Sequence, residues 1–204
     1  MLEANEISCI RGNRELFRHL SFRVEGGTAL RIHGANGAGK TSLLRMIAGL
    51  SPVIEGRICW DGHALAQIGD DYRAQLVFVG HANALKAHLT PCENLRLGLA
   101  VQGTVVADTQ VRAALEDEGL ALAADVPTQW LSAGQQRRVA LTRTRFAAER
   151  KLWILDEPFS SLDDAAVGRL SSHLAGHVRN GGVVVYTTHQ NVNIDAPTNS
   201  LELM

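Results

Sequence analysis

Short apolar or alternating runs open the chain. "NEISCI" (5–10), "LSFRVEGG" (20–27) and "TALRIHG" (28–34) have the spacing and glycine punctuation of strands. "KTSLLRMIAGL" (40–50) shifts to helical spacing and is closed by Gly49. "GRICWDG" (56–62) predicts a strand with a turn at Asp61-Gly62, and "AQLVFVG" (74–80) a buried strand. From Pro91 to Ala124 the character changes: "PCENLRLGLA" and "DTQVRAALEDEGLALAA" favour helix, and β-branched runs nearly vanish apart from "TVV". Strand signals return in "KLWILDEP" and "GGVVVYTTH", separated by the helical "DDAAVGRLSSHLAGHVRN". Strands alternating with helices imply an α/β protein whose parallel sheet is covered on both faces. The pattern has no internal repeat and no linker, so a single domain over 1–204 is expected, with a helical subdomain inserted at about 88–148.

Composition narrows the partners. With 204 residues, 46% hydrophobic and 20% charged, the chain is long enough to bury one substantial core. A net charge of -1 supplies no field that would draw it onto nucleic acid or an anionic bilayer, so no nucleic-acid partner is expected. Cys9, Cys59 and Cys92 are scattered without metal-ligand spacing, as in a reduced compartment. Residues 1–10 lack the basic start and apolar stretch of a signal peptide, and no window is apolar enough to span a membrane.

The chemistry gathers at two strand ends. "GANGAGKT" (34–41) fits G-x-x-x-x-G-K-[ST] directly after a strand and before a helix. Its glycines allow a tight turn in which the amides of Gly34, Ala35, Asn36, Gly37, Ala38 and Gly39, with those of Lys40, Thr41 and Ser42, surround a phosphate chain. Lys40 then reaches the outer phosphates, and Thr41 is placed to ligate Mg²⁺. The apolar strand "LWIL" runs into Asp156 and Glu157, and adjacent acids there call for a cation or a polarised water. Asp156 is read as the Mg²⁺ support and Glu157 as the group that orients the attacking water; the plainer alternative for either is a helix cap. His189 closes the last strong strand, where doubly wound sheets collect ligand groups. "WLSAGQQRRVAL" (130–141) begins a basic amphipathic helix with Ser132 as its cap.

These residues resemble the nucleotide-binding subunits of ATP-binding cassette (ABC) transporters. The match carries a P-loop ("GANGAGKT"), a signature (Leu131, Ser132, Ala133, Gly134, Gln135), the Walker B strand "LWILDE", a D-loop ending in Asp163, and His189 as switch histidine, all in the family's order. The resemblance implies a P-loop NTPase of ABC type: a mostly parallel core sheet, an N-terminal antiparallel β part and a helical subdomain. It also implies ATP and Mg²⁺ as cofactors and a head-to-tail dimer with a second copy, in which the signature helix meets the phosphate held by the partner's P-loop. Lys40, Glu157 and His189 would be the catalytic residues, and an integral membrane ABC subunit would hold the chain at the cytoplasmic face of the inner membrane.

Two departures narrow the match. Ala133 stands where many cassettes have glycine, and His81, in "GHAN", stands where most have the glutamine that touches Mg²⁺. The short chain, "GHAN" and "LSAGQQRRVAL" are most similar to the ATP-binding subunits of haem exporters used in cytochrome c maturation. That likeness implies haem export, or release of haem from a chaperone complex, as the work driven by hydrolysis. It gives His81 a coupling role, because a neutral imidazole is a poor Mg²⁺ ligand. Few residues follow His189, so no C-terminal regulatory domain is expected. At the position where the family stacks adenine on an aromatic ring the chain has Arg11, whose guanidinium plane can stack instead. His88, His173 and His177 are expected as solvated or helix-face residues. The alternatives are an exporter of another cargo, a soluble ABC-type ATPase acting on DNA or ribosomes, and a small P-loop kinase, for which "LSAGQ" has no use.

Overall fold

A computed structural model describes residues 1–203. Strands β1 (Leu2–Arg11), β2 (Arg14–Val24), β4 (Glu55–Trp60) and β5 (His63–Ala64) form an antiparallel sheet in the order β2-β1-β4-β5. The β4–β5 turn is Asp61-Gly62, with φ of 48° and 81°, the primed geometry that matches strand twist in a two-residue hairpin.

A five-stranded sheet carries the site. It comprises β3 (Thr28–Gly34), β6 (Leu76–Val79), β7 (Leu152–Leu155), β8 (Val183–Thr187) and β9 (Thr198–Leu203), in the order β6-β7-β8-β3-β9. Every neighbouring pair is parallel. Strands β6, β7 and β8 are buried on both faces, which is why they read as unbroken apolar runs. One face sends Leu30, Ile32, Leu152, Ile154, Val183 and Val185 into a core shared with helix α1 (Lys40–Ile47) and the antiparallel sheet. From the other face, Trp153, Leu155, Val184 and Tyr186 pack on α6 (Asp164–Arg179) and on Ala140 and Leu141 of α5 (Ala133–Thr142).

Between β4 and β6 lies α2 (Leu65–Ala74), kinked at Gly69. A third apolar cluster sits among α3 (Pro91–Val101), α4 (Asp108–Asp117) and α5: Cys92, Leu95, Val111, Leu115, Leu131 and Val139 converge there. Thr90 caps α3 by accepting from the Glu93 amide, with Glu93 returning to the Thr90 amide and Pro91 opening the first turn. The stretch read as continuous helix over 108–124 breaks at Gly119, whose φ of 69° ends the helix; a single 3₁₀ turn follows over Ala121–Ala123.

His173 and His177 depart from their expected solvated or helix-face setting. Both turn from α6 onto Trp153, and the His177 ring stacks on the indole at 3.8 Å between centroids.

Candidate functional site

The site lies at the carboxyl ends of the parallel strands. β3 ends at Gly34, whose φ of 144° and proximity to β9 both exclude a side chain: a Cβ there would meet the Leu203 carbonyl oxygen at 2.2 Å. The loop then turns through Gly37 (φ 82°) and Gly39 (φ 101°) into α1. Ala38 packs into the core beneath, while Asn36, Gly37, Gly39, Lys40, Thr41 and Ser42 face a cleft of about 750 Å³. Lys40 bends back over the loop and donates from Nζ to the carbonyls of Gly34 (2.8 Å) and Ala35 (3.0 Å). The loop amides and the helix start leave a positive concavity suited to phosphate.

β7 delivers the acids. Asp156 is buried; its Oδ2 accepts from the Thr41 hydroxyl at 2.8 Å and its Oδ1 from the Thr187 hydroxyl at 2.8 Å. A threonine hydroxyl and a carboxylate oxygen side by side are the hard donors Mg²⁺ takes, so these residues fit that cation. Glu157 follows in the left-handed region at φ 49°, a strained setting for a residue with a side chain. Its carboxylate turns toward His189: the His189 amide donates to Oε2 at 3.3 Å, and Nε2 lies 3.3 Å from Oε1. That Oε1 is buried and has no hydrogen bond among the described residues, while Glu157 itself lines the cleft.

Most of the residues singled out from the sequence meet here. The P-loop, Asp156, Glu157, His189 and His81 line one cleft, with Ser160, Arg14 and Leu16 completing the wall. Arg11 does not join them, since its guanidinium donates to Ser51 Oγ; the arginine at the cleft is Arg14.

The signature residues lie outside the cleft. Ser132 caps α5, its hydroxyl accepting from the Gln135 amide at 3.2 Å while Gln135 Oε1 accepts from the Ser132 amide at 2.8 Å. Leu131 anchors the turn in the third cluster, and Ala133 is exposed. A side chain at Gly134 would put its Cβ 2.3 Å from the Ser161 carbonyl oxygen, so packing within the chain already requires this glycine. Asp163 caps α6 by accepting from the Ala166 amide at 2.7 Å.

Two contributors escaped the sequence reading. Thr187, fully buried, donates to Asp156 and accepts from the Glu157 amide at 2.8 Å. Arg137, 3% exposed, reaches from α5 to the backbone beside the acids. It lies in a run of polar and basic residues, but it is in helical phase with Ala140 and Leu141, and that phase is the signal for an inward-facing side chain.

Comparison with known proteins agrees with this geometry. Residues 17–160 match the family model described as ABC transporter. The chain is 50% identical over 198 residues to the cytochrome c biogenesis ATP-binding export protein CcmA of Dechloromonas aromatica, covering 97% of each. A solved structure of the ATP-binding subunit of an ABC transporter superposes with a TM-score of 0.80 at 27% identity, over 92% of this chain and 79% of that one. A dimeric ATP-binding cassette in a post-hydrolysis state, bound to ADP and Pi, superposes with a TM-score of 0.77 at 25% identity, over 93% of this chain and 88% of that one.

Proposed function

The chain belongs to the ABC transporter family, and from that premise we propose that it is the ATP-hydrolysing subunit of a membrane complex serving the biogenesis of c-type cytochromes. The observation that carries the hydrolytic part is the cleft itself, where Lys40, Thr41, Asp156, Glu157 and His189 converge beneath a phosphate-shaped loop. The cytochrome assignment is supported by the near full-length similarity to the export protein of D. aromatica.

The mechanism follows from these side chains. Lys40 leaves the carbonyls of Gly34 and Ala35 for the β- and γ-phosphate oxygens, exchanging neutral acceptors for charged ones. Thr41 and Asp156 would hold Mg²⁺, which would supply charge neutralisation on the phosphates. Glu157, which lines the cleft, orients the attacking water and accepts its proton as the water oxygen bonds to the γ-phosphorus and the bond from that phosphorus to the bridging oxygen of ADP breaks, releasing ADP and phosphate. His189, beside Glu157, holds the γ-phosphate side of the cleft.

Ser132, Gly134 and the rest of the signature lie outside their own cleft, and the phosphate they meet is the one held by a second copy packed head to tail. No helix among the described residues is long and apolar enough to cross a membrane. The chain sits at the cytoplasmic face of the inner membrane, and an integral membrane subunit receives the motion through His81 and the helical segment at about 88–148. Haem, or a haem-loaded chaperone, is the cargo acted on.

The test is covalent c-type haem, stained on gels, in cells whose sole copy of this protein carries Glu157→Gln. Loss of staining at normal protein levels is expected. Unchanged staining would remove the cytochrome assignment and leave the ATPase.

A further inference from the structure

Arg137 is a buried cation whose three partners are all neutral. Its guanidinium donates to the Gly80 carbonyl at 2.8 Å, to Asn83 Oδ1 at 3.1 Å, and to the Asp156 carbonyl. Burying a charge among neutral groups costs several kcal/mol unless its hydrogen bonds are well made and opposite charge stands near. Burial pulls its pKa down to about 10, against the attraction of Asp156 and Glu157, so it keeps its charge at neutral pH. A methionine or leucine would fill the same space at less cost. The placement therefore needs a reason beyond packing.

The reason is the peptide it holds. The Asp156 carbonyl and the Glu157 amide belong to one planar unit. Arg137 takes the carbonyl end, and Thr187 Oγ1 accepts from the amide end at 2.8 Å. Immediately after this unit comes Glu157 at φ 49°, a conformation that persists only when its surroundings hold it. Rotation of that peptide would swing the Glu157 carboxylate out of the cleft. The other terminal nitrogen of Arg137, Nη1, reaches both Gly80, just after β6, and Asn83, in the loop that carries His81.

We infer that Arg137 is a positioning residue: it fixes the Asp156–Glu157 peptide, and hence the aim of the Glu157 carboxylate, to the seating of the signature helix α5. This rests on the reading of Glu157 as the residue that activates water. Its consequence is that displacement of α5, whose first turn meets the partner's nucleotide, reaches the acid of the same chain through one side chain.

Steady-state ATP hydrolysis by the purified full-length chain tests this. Arg137→Lys keeps the charge, but a single ammonium cannot serve all three acceptors together. We expect kcat to fall roughly 10-fold or more from misaimed chemistry, with KM for ATP within about twofold. Thr187→Val frees the other end of the same peptide, so its loss in kcat and that of Arg137→Lys should be non-additive in the double variant. Unchanged kcat at wild-type folding, a matching rise in KM, or losses that simply multiply would overturn the inference. If Arg137→Lys does not fold, Arg137→Gln is judged by the same criteria. Glu157→Gln runs beside them: if it is slow while the Arg137 variants are normal, only the positioning role fails. If it hydrolyses at the wild-type rate, the reading of Glu157 fails and takes the inference with it.

Discussion

Gly134, in the first turn of the signature helix, packs so closely on Ser161 that a Cβ would stand 2.3 Å from the Ser161 carbonyl oxygen. Ser161 itself holds a φ of 62°. Two strained or side-chain-free positions therefore meet where the signature helix touches the turn leading to Asp163. Gly134→Ala must push the two apart, and we expect unfolding free energy to drop by about 1–3 kcal/mol in urea titration, the usual cost of overpacking. Ala133 is exposed beside it, so Ala133→Gly should cost no more than about 1 kcal/mol. Equal effects at the two positions would show that the contact with Ser161 does not govern this turn.

Thr41 and Asp156 make the second prediction. The Thr41 hydroxyl is the donor that Asp156 Oδ2 meets in the buried strand end. Thr41→Val removes the proposed metal ligand and leaves that oxygen without its donor. Hydrolysis should fall at least about 10²-fold at ordinary Mg²⁺ concentrations, as expected when a metal site loses a ligand, while ATP binding in EDTA stays near wild type. Isothermal titration with and without Mg²⁺ separates the two. Equal Mg²⁺ enhancement of ATP affinity in variant and wild type would take Thr41 out of the metal site.

The histidines on Trp153 set a pH dependence. Burial, with Arg145 and His177 adding repulsion, lowers His173 from 6.5 to about 4, and burial also lowers His177. Both are held neutral in the folded chain and protonate more readily when unfolded. Their contribution is intact above about pH 6.5 and is lost as pH falls toward 4, because the unfolded state then binds the extra protons. Melting temperature should decline through that window, and His173→Gln, which keeps a partner for Thr144, should flatten the decline. A variant with the wild-type slope would refute this assignment.

Much of this arrangement was legible because the residues combine a local motif with an element boundary. "GANGAGKT" sits between a buried strand and a helix, and "LWIL" runs straight into two acids, so both sites declare themselves without tertiary information. The edge strand β9 did not: "TNSLEL" is mostly exposed and polar, and it forms because β3 offers a free side for pairing. The α2 helix was hidden by the kink at Gly69 and a weak apolar face, of which only Tyr72 is fully buried. Arg11 and Arg14 show the same limit at side-chain level: they are adjacent on the antiparallel register, and only the fold decides which one reaches the cleft. Arg137 was obscured by its neighbours Gln136 and Arg138, since a basic run on a helix ordinarily marks a solvated face.

The central claim is that each ATP site is completed by the signature of a second copy. Lys40→Ala disables the P-loop of one chain, and Ser132→Arg disables the signature of another; each alone should be inactive. Mixed, the two variants form heterodimers in which an intact P-loop faces an intact signature, and ATP hydrolysis should return in the mixture. If the mixture stays as inactive as its components, while each variant still associates with wild-type chain, the composite site is contradicted.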